Sequence, residues 1–212
     1  MKTDIAAQIG AMAREVRTCD RDGRPARVVV ASRTYATDVD DVWDAITSPE
    51  RLPRWFLPIS GDLRLGGRYQ LEGNAGGEVT RCEPPRHLAL TWELGGEVSW
   101  VEVRLEEGGR GQTRLELQHV AHEDVHWEQF GPGAAGVGWD LGLLGLGQYL
   151  AAGASFDRAE AEAWAGSEEG MSFMRRSSER WRDAAIASGT PEEAAQAAAE
   201  RTIAFYTGEG GE

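Results

Sequence analysis

Short runs of alternating apolar and polar residues fill the middle of the chain, which is the pattern of half-buried strands. Such runs occupy residues 87–94, 97–106 and 112–120, and turn residues such as Gly108-Gly109 separate them. Strands joined by short turns, without intervening helices, form antiparallel sheets. The pattern therefore predicts that these three segments are sequential strands of one antiparallel sheet.

Further strands are predicted on the N-terminal side of these three. RVVVASRTY, which begins at Arg27, is rich in β-branched residues and bounded by turn residues. DLRLGGRYQLEG predicts a strand over 62–71 with a bulge or bend at Gly66-Gly67, as in a strongly curved sheet. Residues 78–83 complete this set of predicted strands.

Residues 135–152 instead repeat apolar side chains at helical spacing. Trp139, Leu143, Leu146 and Leu150 form one stripe, and neighbouring leucines widen it. A helix that is apolar nearly all round must be covered on more than one side. Its glycines each cost about 1 kcal/mol relative to alanine. We therefore expect close packing around this helix, with the curved sheet on one side and another element on the other.

Shorter helices are predicted around this framework. The first runs from Ile5 to Val16 and is followed by a turn-rich linker. A second covers Val39 to Ile46, where acidic residues in the first turn complement the helix dipole. A third begins at Ser48-Pro49 and carries Trp55 and Phe56. These features suggest an α+β fold in which an N-terminal helix and linker (1–26) precede the sheet-and-helix domain (27–153).

Residues 154–212 are expected to form a helical extension. Met171–Ala187 carries Met174 and Trp181 on one face, and Thr190-Pro191-Glu192-Glu193 opens a last helix. We expect the extension to pack on its own chain or on a second subunit. A homodimer is slightly favoured, because glycine-rich helix faces suit close symmetric packing.

Charge and composition narrow the classes of partner. The 212 residues are 41% hydrophobic and 27% charged, with a net charge of −13 at pH 7. Such an acidic surface repels phosphate groups, which argues against nucleic-acid and membrane-surface binding, although acidity also serves solubility. The N-terminus lacks the apolar core of a signal peptide. Residues 133–156 are apolar, but they contain Asp140 and Gln148, so a buried core helix is favoured over a transmembrane helix. Without a signal peptide or a transmembrane helix, a cytoplasmic location is predicted.

The sequence offers little support for metal or nucleophilic chemistry. His119, His122 and His126 lie close together among acidic residues, but a zinc site needs ligands that converge, and a polar residue at a strand end followed by a solvated acidic loop is the favoured interpretation. Cys19 and Cys82 form no C-x-x-C pair, and the motifs of activated serines and of nucleotide-binding loops are missing. We predict neither cofactor nor metal, and we favour a non-catalytic protein.

Polar side chains on the predicted strands leave two interpretations open. Glu102, Arg104, Glu116 and His119 could line a pocket and take part in acid–base chemistry. Alternatively, the first three form cross-strand ion pairs on the solvent face.

Aromatic side chains give the clearest indication of a site. Several fall on elements that should face the space between helix and sheet, and aromatic-lined concavities bind apolar ligands. A filled core without a cavity is the alternative. The predicted ligand-binding residues are Trp55, Phe56, Tyr69, Trp92, His119, Trp139 and Leu143.

Four segments carry a resemblance to a known family. They are VWDAITSPERLPRWF, GDLRLGGRY, VTRCEPPRHLALTWE and GPGAAGVGWDLGLLGL, in this order from about Arg33 to Leu150. The chain resembles the family of homologues of the activator of heat-shock protein 90 ATPase, in the START-like (SRPBCC) superfamily. It is similar to bacterial members whose helical extension ends near a Phe-Tyr pair, here Phe205-Tyr206.

This resemblance implies the helix-grip fold, a curved antiparallel sheet around a long helix. It implies function only weakly, since one fold serves many functions. Our leading hypothesis is the binding or carriage of a small hydrophobic molecule in an apolar cavity. A cyclase- or dehydratase-like cavity enzyme is the first alternative. A chaperone-activating module is the second, although residues 1–26 cannot hold the separate chaperone-binding domain of the eukaryotic activator.

Overall fold

The computed structural model describes residues 4–153 and 158–208. The strands are β1 (Met12–Arg21), β2 (Arg24–Tyr35), β3 (Ile59–Gly61), β4 (Arg68–Leu71), β5 (Gly76–Glu83), β6 (His87–Leu94), β7 (Glu97–Glu107) and β8 (Thr113–His122). The helices are α1 (Ile5–Gly10), α2 (Val39–Thr47), α3 (Val125–Phe130), α4 (Gly133–Ala152), α5 (Arg158–Ala165), α6 (Glu168–Ala187) and α7 (Glu192–Thr207), with a 3-10 helix at Leu52–Arg54.

The strands form one sheet in the order β1-β2-β8-β7-β6-β5-β4-β3. The pairs from β3 to β8 are antiparallel. The predicted strands 87–94, 97–106 and 112–120 correspond to β6, β7 and β8, and the helix predicted over 135–152 is α4. The predicted α+β fold, a curved antiparallel sheet with a long helix, here α4, is confirmed.

The N-terminal segment differs from its prediction. The helix ends at Gly10, and residues 12–21, predicted as helix and linker, form β1. Met12 and Val16 fit helical spacing as well as strand alternation, so the apolar pattern alone did not decide. Asp22-Gly23 was the missed signal. Both residues have positive φ angles, 54° and 74°, as a two-residue hairpin turn requires.

Two further predictions were wrong in detail. The strand predicted over 62–71 is a loop over its first half, and only β4 is regular there. The helix predicted from Pro49 is a 3-10 helix of three residues, Leu52–Arg54. Pro53 lies inside this helix and has no N–H group to donate, so a longer regular helix is disfavoured.

The chain divides into two compact units. The first unit comprises, of the described residues, 4–31, 122–141 and 158–208, and the second comprises 32–121 and 142–153. β2 and α4 each begin in the first unit and end in the second. The division predicted from the sequence, 1–26, 27–153 and 154–212, stays a prediction, and residues 154–157 and 209–212 of its last segment lie outside the described residues.

The core of the first unit is built where α4 and α6 meet. Trp181 and Phe173, both on α6, are fully buried. A Cβ atom on Gly136 of α4 would lie 2.3 Å from the Trp181 ring. This close approach explains one glycine in a helix that would otherwise favour alanine.

Among the described residues, no helix is long and apolar enough to cross a membrane.

Candidate functional site

The strand register of the second unit defines which side chains share a face, because directly paired residues point to the same side of a sheet. Leu90 pairs with Val101, and Val103 pairs with Leu117. We call the face that carries these residues the inner face. In β6, β7 and β8 it consists of Leu88, Leu90, Trp92, Ser99, Val101, Val103, Leu105, Leu115, Leu117 and His119.

Burial on the inner face falls towards one end of the strands. Leu90, Val101 and Leu117 are buried. The next inner-face residues at the same end are Trp92, Ser99 and His119, and all three are half-buried. On the same face Val103 is also half-buried, while Leu88, Leu105 and Leu115 are buried, so the inner face is mostly closed by packing and its half-buried residues are concentrated at this end, which we call the open end.

Two hydrogen bonds link the three residues at the open end. Ser99 Oγ donates to the carbonyl oxygen of Trp92 at 3.1 Å, and His119 Nε2 lies 2.8 Å from the same Oγ. Since the Ser99 proton is used by Trp92, this network favours the His119 tautomer that donates from Nε2. The Trp92 and His119 ring centroids are 6.2 Å apart. Burial lowers the pKa of His119 to about 4, so its imidazole is neutral at physiological pH.

Tyr69 joins this face through a glycine. It pairs with Gly77, and the β5–β6 register places Gly77 opposite Trp92. Gly77 has no side chain to separate the two aromatic residues. The Tyr69 hydroxyl donates to the carbonyl oxygen of Thr91 at 2.7 Å, and burial raises its pKa, so it stays a neutral phenol.

Trp55, Phe56 and Leu143 lie around the part of α4 that belongs to the second unit. The Trp55 and Phe56 ring centroids are 5.4 Å apart, and Trp55 Nε1 donates to the carbonyl oxygen of Ala45 at 2.9 Å. A Cβ atom on Gly145 would lie 2.7 Å from the carbonyl oxygen of Trp55. Glycine in α4 thus lets the loop after the 3-10 helix approach the helix backbone.

The structure thus places six of the seven predicted ligand-binding residues in the second unit. Trp92 and His119 lie side by side, Trp55 and Phe56 form a second group, and Leu143 is buried. Trp139 belongs to the first unit, where it is half-buried. That all seven border one ligand cavity remains a prediction.

Sequence reasoning missed three polar residues of the second unit. Besides Ser99, these are Arg33 and Tyr35. The Ser32 hydroxyl is bonded by Arg114 on the other face, so alternation along β2 places Arg33 and Tyr35 on the inner face.

Both missed β2 residues lie against α4. The Tyr35 hydroxyl donates to the carbonyl oxygen of Leu143 at 3.1 Å. The Arg33 guanidinium lies 5.6 Å from the Tyr35 ring centroid, beside Gly147, and burial lowers its pKa. Arg33 and Tyr35 are two residues apart on a predicted strand and must share one face of the sheet, and this spacing could have identified them as a pair.

The other polar candidates lie on the opposite face. Glu102 and Arg104 form an ion pair at 2.6 Å, and Arg114 and Glu116 form another at 2.8 Å. These ion pairs put Glu102, Arg104 and Glu116 on the face opposite the inner face, but each pair lies within one strand, β7 or β8, and not across strands as expected. Among the described residues, no group of three or more His, Cys, Asp or Glu side chains is arranged to hold a metal ion.

Comparison with known proteins places the chain in a protein family. The fold is the helix-grip fold of START-like proteins. More specifically, the family model described as "Activator of Hsp90 ATPase homolog 1-like protein" matches residues 36–151, more than half of the chain. The chain belongs to this family, which confirms the resemblance seen in the sequence.

Solved structures of similar proteins have the same fold. The crystal structure of CalU16 from Micromonospora echinospora is 36% identical, with a TM-score of 0.68, covering 85% of this chain and 99% of that one. Its solution NMR structure gives a TM-score of 0.69 at the same identity, covering 85% and 97%. Protein MLL2253 from Mesorhizobium loti is 24% identical, with a TM-score of 0.53, covering 59% and 97%, and shows the fold alone. Comparison with curated proteins gives no match.

Proposed function

We propose that the inner face of the second unit binds a small hydrophobic molecule without chemically converting it. The observation that carries this proposal is the fall in burial from Leu90, Val101 and Leu117 to Trp92 and His119 along the same face. A large aromatic side chain that stays half-buried beside a closed apolar core leaves apolar surface for a ligand to cover.

The polar groups at the open end would orient such a ligand. Neutral His119 and the Ser99 hydroxyl offer hydrogen bonds and carry no charge. Few polar groups within apolar walls are typical of small-molecule sites. Because the Ser99 proton bonds to Trp92 and His119 Nε2 donates to Ser99, both side chains would accept from the ligand, so the ligand class that matches is an apolar, largely neutral molecule with a hydroxyl group. A cytoplasmic location and a homodimer remain part of the proposal.

Ligand binding to the inner face can be measured through Trp92, which lies in the proposed site. The indole N–H resonance of Trp92 in the NMR spectrum can be assigned with a Trp92→Phe variant. Phenylnaphthylamine, a neutral apolar fluorophore, serves as the first probe, followed by a panel of hydrophobic compounds. We expect saturable shifts of the Trp92 resonance.

Two neighbouring positions provide a matched pair of variants. Ser99 lies on the inner face, whereas Val98 pairs with Glu93 on the opposite face and is exposed. Ser99→Phe should fill the open end and abolish the Trp92 shifts, whereas Val98→Phe should leave them unchanged. Equal binding by a folded Ser99→Phe protein and the wild type would contradict the proposal.

One observation favours a cyclase-like enzyme as the second candidate. The neutral imidazole of His119 is hydrogen-bonded to Ser99, and a neutral imidazole can accept a proton from a bound molecule. His119→Gln separates the two functions. Under the leading proposal the variant changes affinity only, whereas under the alternative it retains binding and loses turnover of the bound compound.

A further inference from the structure

The first unit contains a cavity of about 420 Å³. It lies among α3, the start of α4, the second half of α6 and the first half of α7. None of the seven ligand-binding residues predicted from the sequence lines it. Its volume falls within the range of about 300–1,000 Å³ that is usual for small-molecule sites.

Two contrasting sets of side chains form the cavity. The half-buried aromatic residues Trp127 and Phe130 of α3 line it. The buried alanines Ala195, Ala198 and Ala199 of α7, the helix that α3 contacts, line it as well, and their methyl groups leave space that larger side chains would fill. Aromatic rings together with small side chains in one cavity suit a flat apolar group.

Two guanidinium groups lie at the same cavity. Arg27 and Arg182 line it, and Glu128 is the acidic residue that lines it. The Arg182 guanidinium bonds to Asp183 and, at 3.0 Å, to Gln196 Oε1, which holds it in place. Arg27 is likewise paired with a carboxylate, that of Glu123, so recognition of an acidic group here depends on direct hydrogen bonds from a guanidinium and not on an excess of positive charge.

Arg27 is positioned for recognition. Its Nε donates to Glu123 Oε1 at 2.6 Å, and its guanidinium carbon lies 5.7 Å from the Trp127 ring centroid. Within the described part of the chain, its two terminal nitrogens form no hydrogen bond. A guanidinium held by one carboxylate and one aromatic ring keeps its outer N–H groups available for an acidic group, which it can bind bidentately.

We infer that this cavity is a second binding site, and that it takes a small planar aromatic molecule carrying one acidic group. The aromatic part lies against the α3 rings and the α7 alanines, and the acidic group bonds to Arg27. This inference does not depend on the function proposed for the second unit.

The test uses two probes that differ in the acidic group. Anilinonaphthalene sulfonate carries an anionic sulfonate, and phenylnaphthylamine is its neutral counterpart. Dissociation constants are taken from shifts of the Trp127 indole N–H resonance in the NMR spectrum, which is assigned with a Trp127→Phe variant. Because Trp127 lines this cavity, its shifts report binding here, and binding to the second unit is followed through Trp92 instead. We expect both probes to bind, and the anionic probe to bind more tightly.

Charge variants test the acidic group. Arg27→Gln should weaken binding of the sulfonate by about tenfold or more, as expected for loss of a charge-assisted hydrogen bond, and leave the neutral probe unchanged. Arg176→Gln removes the same charge from an exposed position of α6 outside the cavity, and should have no effect. Glu128→Gln should strengthen sulfonate binding. Unchanged sulfonate affinity in Arg27→Gln overturns the role of the acidic group.

Steric variants test the site itself. Ala194 is exposed and lines the cavity, whereas Ala187 is exposed on α6 and does not. Ala194→Trp should abolish the Trp127 shifts with both probes, and Ala187→Trp should preserve them. If Ala194→Trp binds both probes like the wild type, or if neither probe shifts Trp127 in the wild type, the site is disproved.

Discussion

Arg14 and Asp140 form an ion pair at 2.8 Å in the interior of the first unit, with side-chain exposures of 5% and 0%. The same Asp140 oxygen, Oδ2, also accepts hydrogen bonds from the Ser177 hydroxyl and from Trp181 Nε1. The other oxygen, Oδ1, has no hydrogen-bond partner among the described residues. A single carboxylate therefore links β1, α4 and α6.

Removing this carboxylate should be strongly destabilising. Asp140→Ala leaves the Arg14 guanidinium buried without its counter-charge, at a cost of about 3–5 kcal/mol in the free energy of unfolding. Denaturant titration followed by tryptophan fluorescence measures the loss. As a control, Asp62→Ala breaks the exposed pair with Arg64 and should leave the unfolding midpoint unchanged.

A double variant separates the pair from its surroundings. Because the main cost is a lone buried charge, Arg14→Met combined with Asp140→Leu should be less destabilised than the sum of the two single variants. Strict additivity would show that Arg14 and Asp140 act independently and would contradict the account of the pair.

Two glycines of α4 should respond oppositely to the same substitution. A Cβ atom on Gly136 would lie 2.3 Å from the buried Trp181 ring, whereas one on Gly142 would lie 3.6 Å from Phe56, an ordinary contact. Gly136→Ala should therefore destabilise by about 1–3 kcal/mol. Gly142→Ala should be neutral or stabilise by up to about 1 kcal/mol, because alanine favours the helix. Equal thermal shifts in the two variants would contradict this.

These residues show what the sequence could predict. The alternation in β6–β8 and the all-round apolar pattern of α4 were strong enough to place the sheet and the helix. The hairpin at Asp22-Gly23 was missed because Met12 and Val16 satisfy both helix and strand periods. Asp140 could not be recognised as an ion-pair partner, since Arg14 and Trp181 are far from it in sequence. Hydrogen-bonded pairs such as Ser99 and His119 likewise depend on register, which composition does not encode.

His119 should make stability depend on pH. Burial lowers its pKa from 6.5 to about 4, so between these values the unfolded chain binds a proton that the folded chain does not. The contribution of neutral His119 to the free energy of unfolding is complete above pH 6.5 and is lost as the pH falls through about 4. The total loss is up to about 3 kcal/mol. Denaturant titrations across this range should show a shallower pH dependence for His119→Gln. Parallel curves would rule out His119 as the source.

Trp92 distinguishes an open site from a filled core. Trp→Ala in a closed core costs about 3–5 kcal/mol. Because Trp92 is half-buried, Trp92→Ala should cost less than that. Leu117→Ala, at a buried position of the same face, should cost about 2–5 kcal/mol and serves as the reference. A Trp92→Ala cost at the top of the closed-core range would favour a filled interior.

The extension should be required for folding of the first unit. A chain ending at Gly153 lacks Ser177 and Trp181, so Asp140 keeps only Arg14 as a donor, and the space beside Gly136 is left empty. We expect such a chain to be insoluble or to melt at a much lower temperature. In the full chain, Trp181→Ala should cost about 3–5 kcal/mol, while Ala substitution of the exposed neighbour Arg180 should cost little. A truncated protein with unchanged melting temperature and unchanged mass in solution would show instead that the extension is dispensable.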